Sequence, residues 1–202
     1  MANKKSNSPV NKTIYDDIFP RRLSKSDQRR LEILEGAIQA YSELDFNSIS
    51  FDEIAVPSKL SRRLVQHYFP DKEVLFETTM KLIRAKFQEL AVQSLSKEQT
   101  AEGQFREYVR STFYWIRLQP SQVRAWFLFF LVCSQKSKYR KIHAELTAIG
   151  ENRITALLNN FELKTKLTLE EGHYIAKSVQ RLITGGILEV CSEQSIESLE
   201  QI

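Results

Sequence analysis

The sequence predicts an all-α protein, a small N-terminal three-helix unit followed by a larger helical domain. Three observations carry this. Apolar residues recur three and four apart from Leu31 onward, the period of a helix with one buried face. Glycine and proline are scarce, six and five in 202 residues, too few to turn a sandwich or barrel. Helix-start boxes punctuate the chain at Ser24-x-x-Asp27, Ser50-x-x-Glu53 and Thr168-x-x-Glu171, each able to satisfy two orphan backbone donors. No stretch alternates like a strand, and no repeat is present.

Residues 1–24 are polar and rich in Lys, Asn and Ser apart from Ile14, Tyr15, Ile18 and Phe19, which predicts a mobile arm docking one short turn. The first helix follows Ser24, with Leu31, Leu34, Ala37, Ile38, Tyr41 and Leu44 on its inner face. Asp45 is expected to end it in a left-handed conformation. Ser50 caps a second, short helix with Phe51, Ile54 and Ala55 inward, expected to stop at Val56 because Pro57 has no N–H and disfavours helical geometry before it. Ser61 caps a third, with Leu64, Val65 and Tyr68 buried, closed by Phe69-Pro70. These define a unit over 25–70. The remainder, 71–202, reads as longer helices over about 71–95, 102–118, 121–134, 138–161 and 168–190, with a possible last turn in 194–202.

Composition excludes more than it assigns. Of the formal charge of +4, residues 1–70 hold eleven basic against nine acidic side chains and the rest eighteen against sixteen, so any polyanion argument rests on where particular arginines sit. Cys133 and Cys191 lie in apolar surroundings without metal-ligand or CxxC spacing and read as buried thiols. The longest apolar run, 125–133, falls well short of the roughly 20 residues of a membrane span. A cytoplasmic protein with no membrane partner is expected, and no metal or cofactor is implied. Three isolated histidines and the absence of H-E-x-x-H, G-x-S-x-G or a phosphate-cradling glycine loop argue against an enzyme.

Two short helices joined by a tight turn and braced by a longer one make a helix-turn-helix, whose second helix can enter a DNA major groove. From Ile33 to Phe76, with ILEGAIQAYSELDF, SFDEIA and LSRRLVQHYFPDKEVLF in gap-free register, the chain resembles the N-terminal domain of TetR-family transcriptional regulators. Arg62 and Arg63 open the third helix, where cations oppose the macrodipole by ~0.3–1 kcal/mol each. A phosphate backbone relieves that conflict, and an Arg fork onto guanine O6 and N7 discriminates by about 1–3 kcal/mol. The resemblance implies that Ser61, Arg62, Arg63 and Gln66 meet bases or nearby phosphates, with Ser50 on the same DNA-facing side, and that His67 and Lys72 meet backbone phosphates. His67 reads equally well as a surface histidine. Tyr68 and Phe69 are expected to brace the helix. The sequence departs from the family at four places: Ser58-Lys59 for the usual Ala-Gly, Pro57 in the second helix, Gln66 for a tyrosine, and Gly36 for an alanine. Lys59 in a left-handed turn would cost about 1–2 kcal/mol relative to glycine.

The segment from Arg124 to Phe161 is weakly similar to the effector half of the betaine-responsive branch of the same family. Phe87, Phe105, Tyr108, Phe113, Trp115, Trp126 and Phe130 either line an apolar cavity or fill a solid core. A cavity implies a largely apolar small-molecule effector, with Arg117, Arg124 and His143 as candidates for an anionic head group. Gly185-Gly186 inside the last long helix implies either close approach of another helix or a break. On the resemblance, Ile175, Val179, Ile183, Gly185, Gly186, Ile187 and Leu188 would form a homodimer interface.

The expected function is a ligand-responsive regulator of transcription, a repressor on a palindromic operator in double-stranded DNA. The alternative is a small-molecule-binding or interaction protein of the same fold that has lost specific DNA binding. Lys4, Lys5, Arg21, Arg22 and Lys25 of the arm either trail along a neighbouring groove or solubilise the chain.

Overall fold

A computed structural model describes residues 18–19, 22–161 and 167–192. The proposed helix in 194–202 and nearly all of the arm lie outside them. Among the described residues there are eight α-helices and no strand: α1 Lys25–Glu43, α2 Phe51–Ser58, α3 Arg62–Tyr68, α4 Lys72–Leu95, α5 Ala101–Leu118, α6 Pro120–Gln135, α7 Arg140–Leu158 and α8 Leu169–Ser192. A 3-10 turn, Ser137–Tyr139, precedes α7. None of these helices is long and apolar enough to cross a membrane.

The capping boxes form as their spacing predicts. Ser24 Oγ accepts the Asp27 N–H at 3.1 Å while Asp27 Oδ2 accepts the Ser24 N–H at 2.9 Å, and the same reciprocal pair closes at Thr168 and Glu171. These hydrogen bonds hold the Asp27 and Glu171 carboxyls below their ordinary pKa. The inward face of α1, with Ile33, Leu34, Ala37, Ile38 and Tyr41, is buried. Phe19 of the arm is buried as well.

Two expectations about helix ends are corrected. The chain leaves α1 through Leu44 in an extended conformation, φ −124°. Asp45 stays out of the left-handed region and instead accepts a turn hydrogen bond from the Ser48 N–H. α2 does not stop at Val56 but runs through Pro57 to Ser58. Proline removes one donor in the last turn, and neighbouring groups satisfy the carbonyls beside it. Ser58 Oγ donates to the Ile54 carbonyl at 2.7 Å, the Lys59 N–H to Val56 and the Leu60 N–H to Ala55. Those last two bonds are a Schellman closure, which needs a left-handed residue after the helix. Lys59 supplies it at φ 56°, ψ 36°, and is the one non-glycine residue with positive φ among those described.

Gly36 explains how this turn reaches α1. A Cβ on Gly36 would lie 2.7 Å from the Ser58 backbone nitrogen and 2.9 Å from its Cα. Gly36 on α1 therefore accommodates the end of α2 at Ser58.

The two units share one core. α1 packs against both α2 and α6, with Ser121 Oγ donating to Gln39 Oε1 at 3.1 Å and an ion pair between Lys86 and Glu35. Phe76 of α4 is buried at the junction, its ring 5.0 Å from Tyr41, 4.8 Å from Phe46, 5.3 Å from Tyr139 and 5.9 Å from Phe129. Lys138 and Glu73 form an ion pair from the 3-10 turn to the start of α4.

Gly36→Ala should lower stability by about 1–3 kcal/mol through overpacking, whereas Gly172→Ala, where a Cβ meets nothing within 4 Å, should raise it by about 0.5–1 kcal/mol. Denaturant titration of the two variants checks the contrast. Lys59→Gly should stabilise by about 0.5–1 kcal/mol, the left-handed penalty less the added chain entropy; an unchanged or lower midpoint would contradict the strain assigned to this turn.

Candidate nucleic-acid interface

α3 is a seven-residue helix whose inner anchor is Val65, fully buried, and whose exit is Phe69, 1% exposed. Arg30 of α1 lies over the Phe69 ring at 5.2 Å, and the Tyr68 side chain packs against the same core. These contacts fix the helix from behind, as expected. The outward side then carries Ser61, Arg62, Arg63, Gln66 and His67, all exposed. Ser61 Oγ accepts the Leu64 N–H at 3.3 Å. His67 meets the edge of Tyr68, centroids 5.3 Å apart. Lys72 is exposed in the first turn of α4, beside Asp71 and Glu73. Ser50 sits across the turn and accepts the N–H groups of Asp52 and Glu53, so its oxygen is engaged and its proton is what a phosphate could receive.

The paired guanidiniums are not equivalent. Arg62 Nη1 lies 2.8 Å from Asp52 Oδ2, with both side chains more than half exposed. The pair links the first turns of α2 and α3, and Asp52 is itself favoured near a helix N-terminus. Such an exposed pair contributes about 0–1 kcal/mol, so a phosphate can displace it. Arg63 has no carboxylate partner among the described residues and faces solvent. The macrodipole conflict is thus left open at Arg63 and already partly relieved at Arg62.

The helical domain holds a cavity of about 350 Å³ between α4, α5, α6, α7 and α8. Phe87, Tyr108, Trp115, Trp126 and Phe130 are brought together on its wall. Phe105 is not among them; it packs edge-on against Phe161, centroids 5.8 Å apart. Phe113 also lies elsewhere, with its ring beneath Gly186. His143 lines the cavity, while Arg117 and Arg124 are exposed outside it. Arg84, Lys177, Gln180 and Arg181 were not anticipated, yet all four reach this cavity. The polar stripe Lys177, Gln180, Arg181 and Thr184 at helical spacing was the available signal, and Arg84 lies almost a hundred residues away in sequence.

α8 is continuous through Gly185-Gly186, so the pair does not break the helix. Ile183 and Ile187, expected at an interface between subunits, turn inward at 7% exposure and line the cavity. Ile175 and Val179 are half-buried, and Gly186 faces Phe113. The solvent face is one step around the helix. It carries Tyr174, Leu182 and Leu188, with Gly185 open beside them.

The family profile described as bacterial regulatory proteins, tetR family, matches residues 33–79. The HTH-type transcriptional regulator BetI of Escherichia coli strain K12 is 22% identical over 166 residues, covering 81% of this chain and 83% of the relative. A transcriptional regulator of Pseudomonas aeruginosa PAO1 superposes with a TM-score of 0.73 at 16% identity, over 89% of this chain and 86% of that one. One from Saccharomonospora viridis, solved in complex with choline, does so with a TM-score of 0.72 at 15% identity, over 86% and 92%. Residues 33–79, which hold the helix-turn-helix, thus resemble the DNA-binding domain of tetR-family regulators, and the described helices share the fold of solved transcriptional regulators.

Proposed function

We propose that the protein is a cytoplasmic repressor that binds a palindromic operator as a homodimer and releases it when a small molecule enters the helical domain. The observation that carries this is the outward face of α3, where Arg63 has no anionic partner among the described residues and Arg62 holds an exchangeable one. Arg63 is read as the principal base or phosphate contact, Arg62 as a second reached by leaving Asp52, and Ser50, Ser61, Gln66, His67 and Lys72 as flanking contacts.

The dimer reading is supported by α8, where Tyr174 is 72% and Leu182 75% exposed. Large apolar side chains flanking an open glycine suit close approach of a second helix, and a twofold pair would present two copies of α3. Release by a ligand is supported by α4, whose Ile83, Arg84 and Phe87 line the cavity while its first turn follows α3 directly. A ligand that favours one setting of α4 changes the separation of the two reading helices from the ~34 Å of one B-DNA turn. The choline complex of the S. viridis neighbour supports a small molecule in this fold.

Fluorescence anisotropy with the duplex upstream of the protein's own gene tests DNA binding. Affinity should fall about 10³- to 10⁵-fold between 50 and 200 mM salt if 6–10 phosphates are neutralised. Arg63→Ala should weaken binding by about 1–3 kcal/mol and relax specificity. Asp52→Asn should leave binding equal or tighter, since it frees Arg62. Binding of wild-type protein no tighter to this duplex than to a scrambled one would reject the repressor reading in favour of a ligand-binding protein without an operator. Leu182→Glu should shift the sedimentation coefficient to that of a monomer; a monomeric wild type would remove the twofold argument.

A further inference from the structure

Building on the ligand-responsive reading above, we propose that the cavity takes an amphipathic anion, a carboxylate on an apolar body of about two rings, rather than a quaternary ammonium of the choline type. The aromatic wall alone would suit either, because Trp and Phe faces attract organic cations as well as apolar bodies. Charge decides between them. Arg84, Lys177 and Arg181 converge on the cavity against the single carboxylate of Glu151, and none of the four has an ion-pair partner among the described residues. A cation entering there meets an excess of like charge in a partly desolvated space. Arg84 also covers the Phe87 ring at 5.2 Å, so that aromatic face already holds a cation.

The unsatisfied polar atoms point the same way. Four buried side-chain atoms have no hydrogen-bond partner among the described residues, and three of them, Arg84 Nε, His143 Nε2 and Gln180 Oε1, belong to residues lining this cavity. Buried polar atoms in native proteins are normally paired, and a carboxylate with two acceptor oxygens is the group a guanidinium fork receives bidentately. Gly150 keeps the place open: a Cβ there would collide with Arg84 Nη2 and Gln180 Oε1. Burial lowers the pKa of His143, so near neutral pH it is an uncharged imidazole able to donate from one nitrogen. The volume of about 350 Å³ is more than twice that of the ~150 Å³ cavity known to hold one benzene ring, which leaves room for two fused rings and a short acid arm.

Isothermal titration of the full chain with naphthalene-1-acetate, its neutral isostere naphthalene-1-acetamide, and choline tests the proposal. The carboxylate should bind about tenfold or more tighter than the amide, the worth of one charge-assisted contact, and choline should give no heat. Arg84→Gln should remove that preference, bringing carboxylate affinity down to that of the amide, while DNA binding without ligand shows that the variant is folded. Lys177→Gln, at an exposed position that cannot disturb folding, should lower carboxylate affinity more than amide affinity. Equal binding of carboxylate and amide, tighter binding of choline, an unchanged preference in both variants, or no heat from any of the three would overturn the proposal. Carboxylate binding with this selectivity but without any effect on operator affinity would uphold the anion site and instead refute ligand-controlled release.

Discussion

The reading head depends on one close approach, that of Gly36 on α1 to the backbone of Ser58 at the end of α2. Because no Cβ stands between them, the C-terminal turn of α2 settles onto α1. The Schellman bonds of Lys59 and Leu60 then set the direction in which the chain leaves. That direction determines where Ser61 starts α3 and which of its side chains face water. The left-handed lysine is the strained element in this arrangement. Two backbone hydrogen bonds and the packing against α1 hold it there, an instance of local strain over-determined by its surroundings.

Electrostatics at the start of α3 follows from this geometry. The turn brings the first turns of α2 and α3 close enough for Asp52 to reach Arg62, so one guanidinium is held in a defined position and its neighbour has no counter-charge among the described residues. An exposed ion pair of this kind orients a side chain without committing it, because its free energy is small. Behind this surface, ring contacts run without a gap from the cavity to α1. His143 meets Phe130 and Phe129, Phe129 meets Phe76, and Phe76 meets Tyr41 and Phe46. The cavity wall and the helix that seats the turn are therefore parts of one packed core.

Local rules made most of the fold legible. Capping boxes at Ser24, Ser50 and Thr168 and the helical period placed every described helix to within a few residues, since these signals act over one or two turns. Pro57 misled because its missing donor matters little in a last turn, where Ser58 and the Schellman bonds satisfy the carbonyls beside it. Asp45 misled because the exit from α1 is set by Phe46 packing on Phe76 rather than by turn propensity. The outward face of α3 was readable from the motif, but Asp52 as partner of Arg62 depends on a crossing angle that no spacing rule gives. The cavity was half legible. Its aromatic side chains stand out in the sequence, whereas Arg84, Lys177 and Arg181 come together only because α4 and α8 both line the cavity. The same limitation applies to the residues expected at a dimer interface: a helix with apolar residues on two sides does not say which side its own core takes, and here the core takes Ile183 and Ile187.

The central claim is that the Gly36-seated turn delivers Arg63, with Arg62 beside it, into a major groove. Guanine N7 methylation protection on the duplex upstream of the gene reads that contact at the atom concerned. The account predicts N7 protection in two half-sites about one helical turn apart, lost at specific guanines in the Arg63→Ala protein. Protection confined to adenine N3 in the minor groove, or an N7 pattern identical in the two proteins, would contradict it.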